Sequence, residues 1–396
     1  MSLTAAVQKE ENRMNFSLNE EQLLLQQTIR DFVEKEVKPK AKEWDEKEEV
    51  PLGTIKKLAE MGIMGMAIDH KYGGSGLDPL SIAFAIEELA RGDGSLALTV
   101  AAHNGLACGH IARFGTEEQK QKYLPDLATG KKLGGWALTE PGSGSDAAGM
   151  KTRAKKDGND WVISGTKMFI SNASIGETFV VLAVTEPEKK QKGITAFILE
   201  KTDKGLKAGK KLEKMGMRSS DTSELIIEDV KVPDSKRLGE INQGFINTLM
   251  MLDKGRISIG ALAIGLAQAS LDESLKYVHQ RETFGKLLKD HEVIRFMLAD
   301  MKVDIDAGRL LVYRAATLAC EGKPFTIEAS IAKLFASEMA MRVCNKGIQV
   351  HGGYGYIREF PVERYLRDAK LCEIGEGTSE VQRLVIAREL LKNYST

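Results

Sequence analysis

The sequence has little cysteine and no net charge, and each shortage excludes a class of protein. Its four cysteines, Cys108, Cys320, Cys344 and Cys372, lie far apart without a C-x-x-C pair. Neither a disulfide framework nor a zinc site is therefore predicted, and we expect reduced, mostly buried thiols. Lysine plus arginine number 56, as do aspartate plus glutamate. That balance argues against a protein that coats nucleic acid or lies on an anionic membrane.

Long apolar runs and targeting signals are also missing. No window approaches the roughly 18 apolar residues of a membrane span. The first residues, MSLTAAVQKEENRMNF, lack the basic, apolar and small-residue regions of a signal peptide. We therefore expect a soluble, cytoplasmic protein without membrane insertion. With 396 residues, 42% of them hydrophobic, the chain is long enough for two or three folded units with sizeable cores.

The apolar pattern divides the chain into parts. Residues 1–15 are polar and are expected to form a disordered or tag-like extension, and residues 16–133 show helical spacing throughout. Short β-branched or aromatic runs separated by turn signals predict a β domain over residues 134–241. Long helical periodicity returns in residues 242–396 and predicts a bundle. This α+β order lacks β-α-β alternation, which argues against a Rossmann sheet.

Local signals mark the ends of single helices in the first part. Asn19 with Gln22 predicts a capping box at the start of the first helix, which Pro39 is expected to stop. Thr116 with Gln119 predicts a second capping box.

Four segments carry residues suited to cofactor binding or proton transfer. They are 136–146 (WALTEPGSGSD), 281–285 (RETFG), 349–356 (QVHGGYGY) and 373–380 (EIGEGTSE). The first offers N–H groups and hydroxyls suited to a phosphate, and the arginine of the second is suited to clamp a pyrophosphate. In the last, Glu376 would act as a base if a dry pocket raised its pKa toward neutrality. Taken singly, the segments are more typical of surface loops, helix ends and a solvated carboxylate.

The order and spacing of these segments resemble the acyl-CoA dehydrogenase family. The resemblance spans residues 18–392 and includes further matches at 72–76 (YGGSG), 114–120 (FGTEEQK), 167–172 (KMFISN) and 367–370 (RDAK). It implies an N-terminal helical domain, a middle β-barrel-like domain and a C-terminal four-helix bundle. It also implies a homotetramer, built as a dimer of dimers.

FAD is the cofactor that the resemblance implies. Contacts from the same chain would come from Leu138, Thr139, Gly144, Ser145, Phe169, Ile170 and Ser171, together with Thr378 and Glu380. Contacts from a neighbouring subunit would come from Arg281, Phe284, Gln349 and Gly353.

The implied reaction is α,β-dehydrogenation of an acyl-CoA. Glu376 would remove the α-proton while the β-hydrogen leaves as hydride to flavin N5, giving trans-2-enoyl-CoA. Electron transfer flavoprotein would be the oxidant. The residues expected to contact the substrate are Ser145, Asp253, Arg256, Gly375 and Gly377.

Three positions depart from the family's pattern. Phe169 and Gly375 stand where tryptophan and tyrosine are frequent, and Glu292 stands where glutamine often contacts the cofactor. Losing the ring at position 375 should widen the pocket, so we expect a short or branched acyl chain, which leaves fatty-acid oxidation and branched-chain amino-acid catabolism both open. Two alternatives on the same fold also stay open: a flavin oxidase or monooxygenase, which would consume oxygen, and a flavin-bearing binding protein, for which neutral charge disfavours DNA as the ligand.

Overall fold

A computed structural model describes residues 18–392, so the extension expected at residues 1–15 lies outside the described part. Helices come first, a β-sheet follows, and a helical bundle ends the described chain. One apolar core joins the N-terminal helices to the bundle, and two further apolar clusters cover the two faces of the sheet.

The N-terminal helices are α1 (Glu20–Phe32), α2 (Lys38–Lys47), α3 (Leu52–Glu60), α4 (Pro79–Gly92), α5 (Gly94–Ala101), α6 (Gly109–Phe114) and α7 (Glu117–Ala128). Both predicted capping boxes, at Asn19 and Thr116, are present. The prediction that Pro39 stops the first helix is wrong. A π-helical turn, Val33–Val37, connects α1 to α2, and Pro39 lies in the first turn of α2, a position that tolerates its missing N–H.

The strands are β1 (Gly134–Ala137), β2 (Arg153–Asp157), β3 (Asp160–Ser171), β4 (Thr178–Val184), β5 (Ile194–Glu200), β6 (Leu206–Lys211), β7 (Thr222–Pro233) and β8 (Arg237–Leu238). They form one sheet in the order β6-β7-β3-β2-β4-β5-β8, with β1 paired in parallel to β4. In β4, Val180 and Leu182 face one apolar cluster and Phe179 and Val181 face the other, as the two-residue period of a strand requires.

The C-terminal helices are α8 (Gly244–Val278), α9 (Glu292–Cys320), α10 (Thr326–His351), α11 (Val362–Ile374) and α12 (Ser379–Lys392), with a hairpin of β9 (Glu282–Thr283) and β10 (Lys286–Leu287) before α9. Helix α10 packs against each of the other four helices. Within residues 18–392, no helix combines the length and apolar character needed to cross a membrane. The four cysteines are free thiols, and all but Cys320 are buried. The expectation of reduced, mostly buried cysteines is therefore confirmed.

Candidate active site

The predicted cofactor residues of the β domain lie on two neighbouring segments. Leu138 and Thr139 follow β1, whereas Phe169, Ile170 and Ser171 end β3. The backbone N–H of Met168, the residue before Phe169, donates to the Thr139 carbonyl oxygen at 2.9 Å. The two segments therefore run side by side. Phe169 has a left-handed φ of 60° and is 64% exposed. An aromatic residue in that conformation is unusual, and this one holds its ring outside the core.

A buried ion pair behind these segments was missed by the sequence analysis. The Lys167 ammonium is fully buried and donates to the Leu138 carbonyl at 3.0 Å and to the Glu140 carboxylate at 2.9 Å. Glu140 also accepts from the backbone N–H groups of Lys151 and Thr152. Burial lowers the pKa of Lys167 to about 8. Burial also acts to raise the pKa of Glu140, but Lys167 and the hydrogen bonds hold that pKa below its ordinary value.

The Gly-Ser loop that follows Thr139 is open on its outer side. Gly144 and Ser145 are exposed, and a Cβ built on Gly144 would meet no atom within 4 Å. Ser143 fixes the loop from inside, because its hydroxyl donates to the Asp146 carbonyl at 2.5 Å. The loop is therefore held in shape while its outer surface has room for a ligand.

A second group of predicted residues lines one open cavity of about 530 Å³ at the ends of α8 and α10. It contains Arg281, Gln349 and Gly353. The guanidinium of Arg281 lies over the Tyr354 ring, 5.6 Å from its centre. Among the described residues, neither the Leu138–Thr139 segment nor the Phe169–Ser171 segment lines this cavity, and Glu376 does not line it either. The predicted cofactor residues thus form two separate groups in one chain.

Phe284 lies near the second group, at the tip of the β9–β10 hairpin. Phe284 and Gly285 have left-handed φ values of 51° and 74°, as a two-residue type I′ turn requires. The Phe284 side chain is 97% exposed. The ring therefore lies at the surface of this chain, where a ligand or a second copy of the chain can reach it.

Glu376 lies in the turn between α11 and α12. Its φ is 53°, and Gly377 follows at 94°, both left-handed. The carboxylate lies over Gly255 of α8, where an added Cβ would be 1.7 Å from Oε2. Within the described structure Oε2 is buried and has no hydrogen-bond partner. Burial raises the pKa of Glu376 to about 7, against the opposing charges of Lys333 and Arg256.

Asp253 and Arg256, predicted to contact substrate, pair with each other on α8. Arg256 is buried and also donates to the Ser330 hydroxyl at 3.2 Å, while Thr326 donates to Asp253 at 2.6 Å. Burial raises the pKa of Asp253 and lowers that of Arg256. Arg256 therefore lies near the candidate base Glu376, and the positive charge of Arg256 is paired with Asp253.

Thr378 and Glu380 begin helix α12, next to the turn that carries the base. The Thr378 hydroxyl accepts from the Val381 N–H at 3.3 Å. Glu380 is exposed in the first helical turn, where a negative charge is favoured. Both residues stabilise the start of the helix, and Glu380 stays accessible.

These residues fit a bound FAD. A Cβ on Gly144 or Gly353 would meet no atom within 4 Å, so both backbones leave space for a ligand. The exposed rings of Phe169 and Phe284 suit a flat heterocycle, and the Arg281 guanidinium suits a pyrophosphate. Within residues 18–392, no cluster of histidine, cysteine or acidic side chains could hold a metal ion.

Comparison with known proteins identifies the family of the chain. Sequence models of the acyl-CoA dehydrogenase N-terminal, middle and C-terminal domains match residues 19–131, 135–230 and 242–391. A probable acyl-CoA dehydrogenase of Bacillus subtilis is 50% identical over 96% of this chain and 100% of its own length. Subunit CarC of a caffeyl-CoA reductase-Etf complex of Acetobacterium woodii is 44% identical over 94% of this chain and 99% of its own length.

A solved structure extends the likeness to three dimensions. Butyryl-CoA dehydrogenase of Megasphaera elsdenii superposes with a TM-score of 0.94 at 45% identity, over 96% of this chain and 100% of that one. The predicted family and its three-domain fold are therefore confirmed. The chain belongs to the acyl-CoA dehydrogenase family and is an FAD-dependent oxidoreductase.

Proposed function

We propose that the chain oxidises short acyl-CoA thioesters to trans-2-enoyl-CoA, with Glu376 as the base that removes the α-proton. One observation carries the proposal: Glu376 Oε2 is buried without a hydrogen-bond partner, although a carboxylate oxygen is a strong acceptor. Such an atom is ready to accept a proton. FAD, when bound, supplies the acceptor for the hydride that leaves the β-carbon.

The environment of Glu376 suits this chemistry. An α C–H next to a thioester is only weakly acidic, so a stronger base reduces the barrier to its removal. The pKa of about 7 makes Glu376 a stronger base than a solvated carboxylate and still leaves much of it ionised at neutral pH. Gly255 provides the space in which the carboxylate lies.

FAD would contact two copies of the chain. We assign Leu138, Thr139, Gly144, Ser145 and the Phe169–Ser171 segment to one subunit, together with Thr378 and Glu380. Arg281, Phe284, Gln349 and Gly353 would come from a neighbour. The separation of the two groups within one chain supports this assignment, as does the exposed ring of Phe284.

Exposed apolar residues on α9 support assembly as a homotetramer. Val293, Phe296 and Val303 are more than half exposed on this helix. Exposed apolar side chains along one helix are typical of a face that packs against another protein surface.

Substrate selection would depend on Gly375. The nearest atoms to a Cβ at this position would be those of Leu371, at 3.5 Å or more, so glycine leaves usable space where a larger side chain would fit. This supports a short or branched acyl chain, and the likeness to a butyryl-CoA dehydrogenase supports a short one. We propose that Ser145, Asp253 and Arg256 contact the CoA part and that Gly377 borders the acyl group.

Electron transfer flavoprotein is the proposed electron acceptor, supported by the relative whose complex contains an Etf component. The test supplies FAD-loaded protein with butyryl-CoA or isovaleryl-CoA and follows product by mass spectrometry. We expect trans-2-enoyl-CoA, reduction of added electron transfer flavoprotein and no oxygen uptake. Turnover that consumes oxygen would favour the oxidase alternative, and absence of product from any acyl-CoA would favour a binding role.

A further inference from the structure

A fully buried lysine, Lys333, lies beside the candidate base. It occupies the interior face of α10 and has no solvent exposure. Its ammonium donates to a backbone carbonyl, that of Gly377, at 2.7 Å. A buried ammonium is unfavourable without compensation, and within residues 18–392 this one interacts with carboxylates only at longer range, without a hydrogen bond or salt bridge to any of them. Its charge is thus not neutralised by a direct partner.

The carbonyl that Lys333 contacts belongs to the turn that carries Glu376. Glu376 and Gly377 are both left-handed, a conformation that is uncommon for glutamate. A second buried donor, the Gln382 amide, also contacts the Gly377 carbonyl, at 2.9 Å. Two interior side chains therefore converge on one oxygen and fix the turn from behind.

The other charged groups around Lys333 leave its charge available to Glu376. Arg256 faces it from α8 but is paired with Asp253. Glu373 faces it from α11 but is paired on its own helix. Cys372, also on α11, is a neutral thiol, because burial raises its pKa to about 12. Burial lowers the pKa of Lys333 to about 8, so the ammonium is charged at neutral pH.

We propose that Lys333 is a positioning residue for the base. Its ammonium holds the Glu376–Gly377 turn through the Gly377 carbonyl and supplies an unneutralised positive charge that favours the ionised form of Glu376. The proposal rests on the function proposed above, because Glu376 must be the base for Lys333 to position it.

Two matched variants separate the charge from the hydrogen bond. Lys333→Met removes both, whereas Gln382→Met removes a hydrogen bond to the same carbonyl and leaves the charge. Each variant retains the other donor, so the Gly377 carbonyl stays satisfied and the turn should fold. Lys333→Gln, which is neutral but polar, takes the place of Lys333→Met if that protein does not fold.

The first readout is the pH dependence of kcat/KM for butyryl-CoA with FAD-loaded protein, whose acidic limb reports the base of the free enzyme. We expect Lys333→Met to move that limb upward by about one pH unit, because a nearby cation no longer favours the carboxylate. Gln382→Met should lower kcat without moving the limb. If the acidic limb of the kcat/KM profile lay at the same pH in the parent protein and in Lys333→Met, the proposal would be overturned.

The second readout does not depend on turnover. Infrared difference spectroscopy of FAD-loaded protein, titrated without substrate, follows the protonated carboxyl band that disappears in Glu376→Gln. That band should persist to higher pH in Lys333→Met and not in Gln382→Met. An inactive Glu376→Gln protein with an unshifted band in Lys333→Met would overturn the role of Lys333 alone. A fully active Glu376→Gln protein would overturn the base assignment and this proposal with it.

Discussion

Replacing Lys167 by methionine should destabilise the β domain and weaken FAD binding together. The substitution leaves the Glu140 carboxylate buried without its cation, and breaking a buried pair in this way costs about 3–5 kcal/mol. Glu140 keeps the N–H donors of Lys151 and Thr152, so we expect a value of about 3 kcal/mol. The Leu138 carbonyl also loses its donor, which loosens one side of the proposed cofactor site.

Thermal unfolding and flavin content measure these two effects. We expect Lys167→Met to lower Tm by roughly 3–5 °C and to lose FAD on desalting. Lys231→Met is the matched control, since Lys231 pairs with Asp157 on the surface, where an ion pair contributes little to stability. The double variant Lys167→Met with Glu140→Gln should recover much of the loss, because no unpaired charge stays buried.

A Lys167→Met protein that matched the Lys231→Met control in both Tm and FAD retention would refute this reasoning. It would show that the buried pair neither stabilises the β domain nor holds the segment after β1.

Three further predictions concern the turn around the base. Gly255→Ala should lower kcat about ten- to 100-fold, because the added Cβ would lie 1.7 Å from Glu376 Oε2 and displace the carboxylate. The control is Gly53→Ala on α3, where an added Cβ meets no atom within 4 Å, and it should leave kcat unchanged in the same assay. The pKa of Glu376 is raised from 4.5 to about 7, so ionisation of its carboxyl group above pH 7 destabilises the folded protein. Glu376→Gln removes that ionisation and should therefore raise Tm at pH 8. The gain in Tm should shrink as the pH falls from 7 toward 4.5. Gly375→Tyr should lower turnover of isovaleryl-CoA more than that of butyryl-CoA in parallel assays, and equal losses would contradict the proposed role of Gly375 in substrate selection.

Local sequence signals predicted local structure well. The capping boxes at Asn19 and Thr116 depend on residues three apart in the chain, so both could be read directly. The prediction that Pro39 ends the first helix was wrong because a π-helical turn precedes Pro39 and places it in the first turn of α2, where proline is tolerated. The sequence contains no signal for that π-helical turn.

The buried lysines could not be assigned from sequence because their partners are distant. Lys167 contacts Glu140, 27 positions away, and Lys333 contacts Gly377, 44 positions away. A signal for Lys333 did exist: it falls in the helical stripe of Ala329, Ala336 and other small residues that α10 buries. A lysine in such a stripe indicates a buried polar partner, and only the fold shows which one it is.

The site residues were identified by family resemblance, whereas their physical state comes from the structure. Nothing in the sequence of Glu376 and its neighbours predicted the left-handed backbone, the close approach to Gly255 or the unpartnered oxygen. These features arise where α8, α10 and α12 meet. The tetramer, the cytoplasmic location and the roles of the individual cofactor residues stay predictions.

The most direct test of Glu376 as the base is anaerobic stopped-flow mixing of FAD-loaded protein with butyryl-CoA, following the oxidised-flavin absorbance. We predict rapid bleaching in the parent protein and bleaching slowed by several orders of magnitude in Glu376→Gln with FAD still bound. Equal bleaching rates in the two proteins would contradict the account.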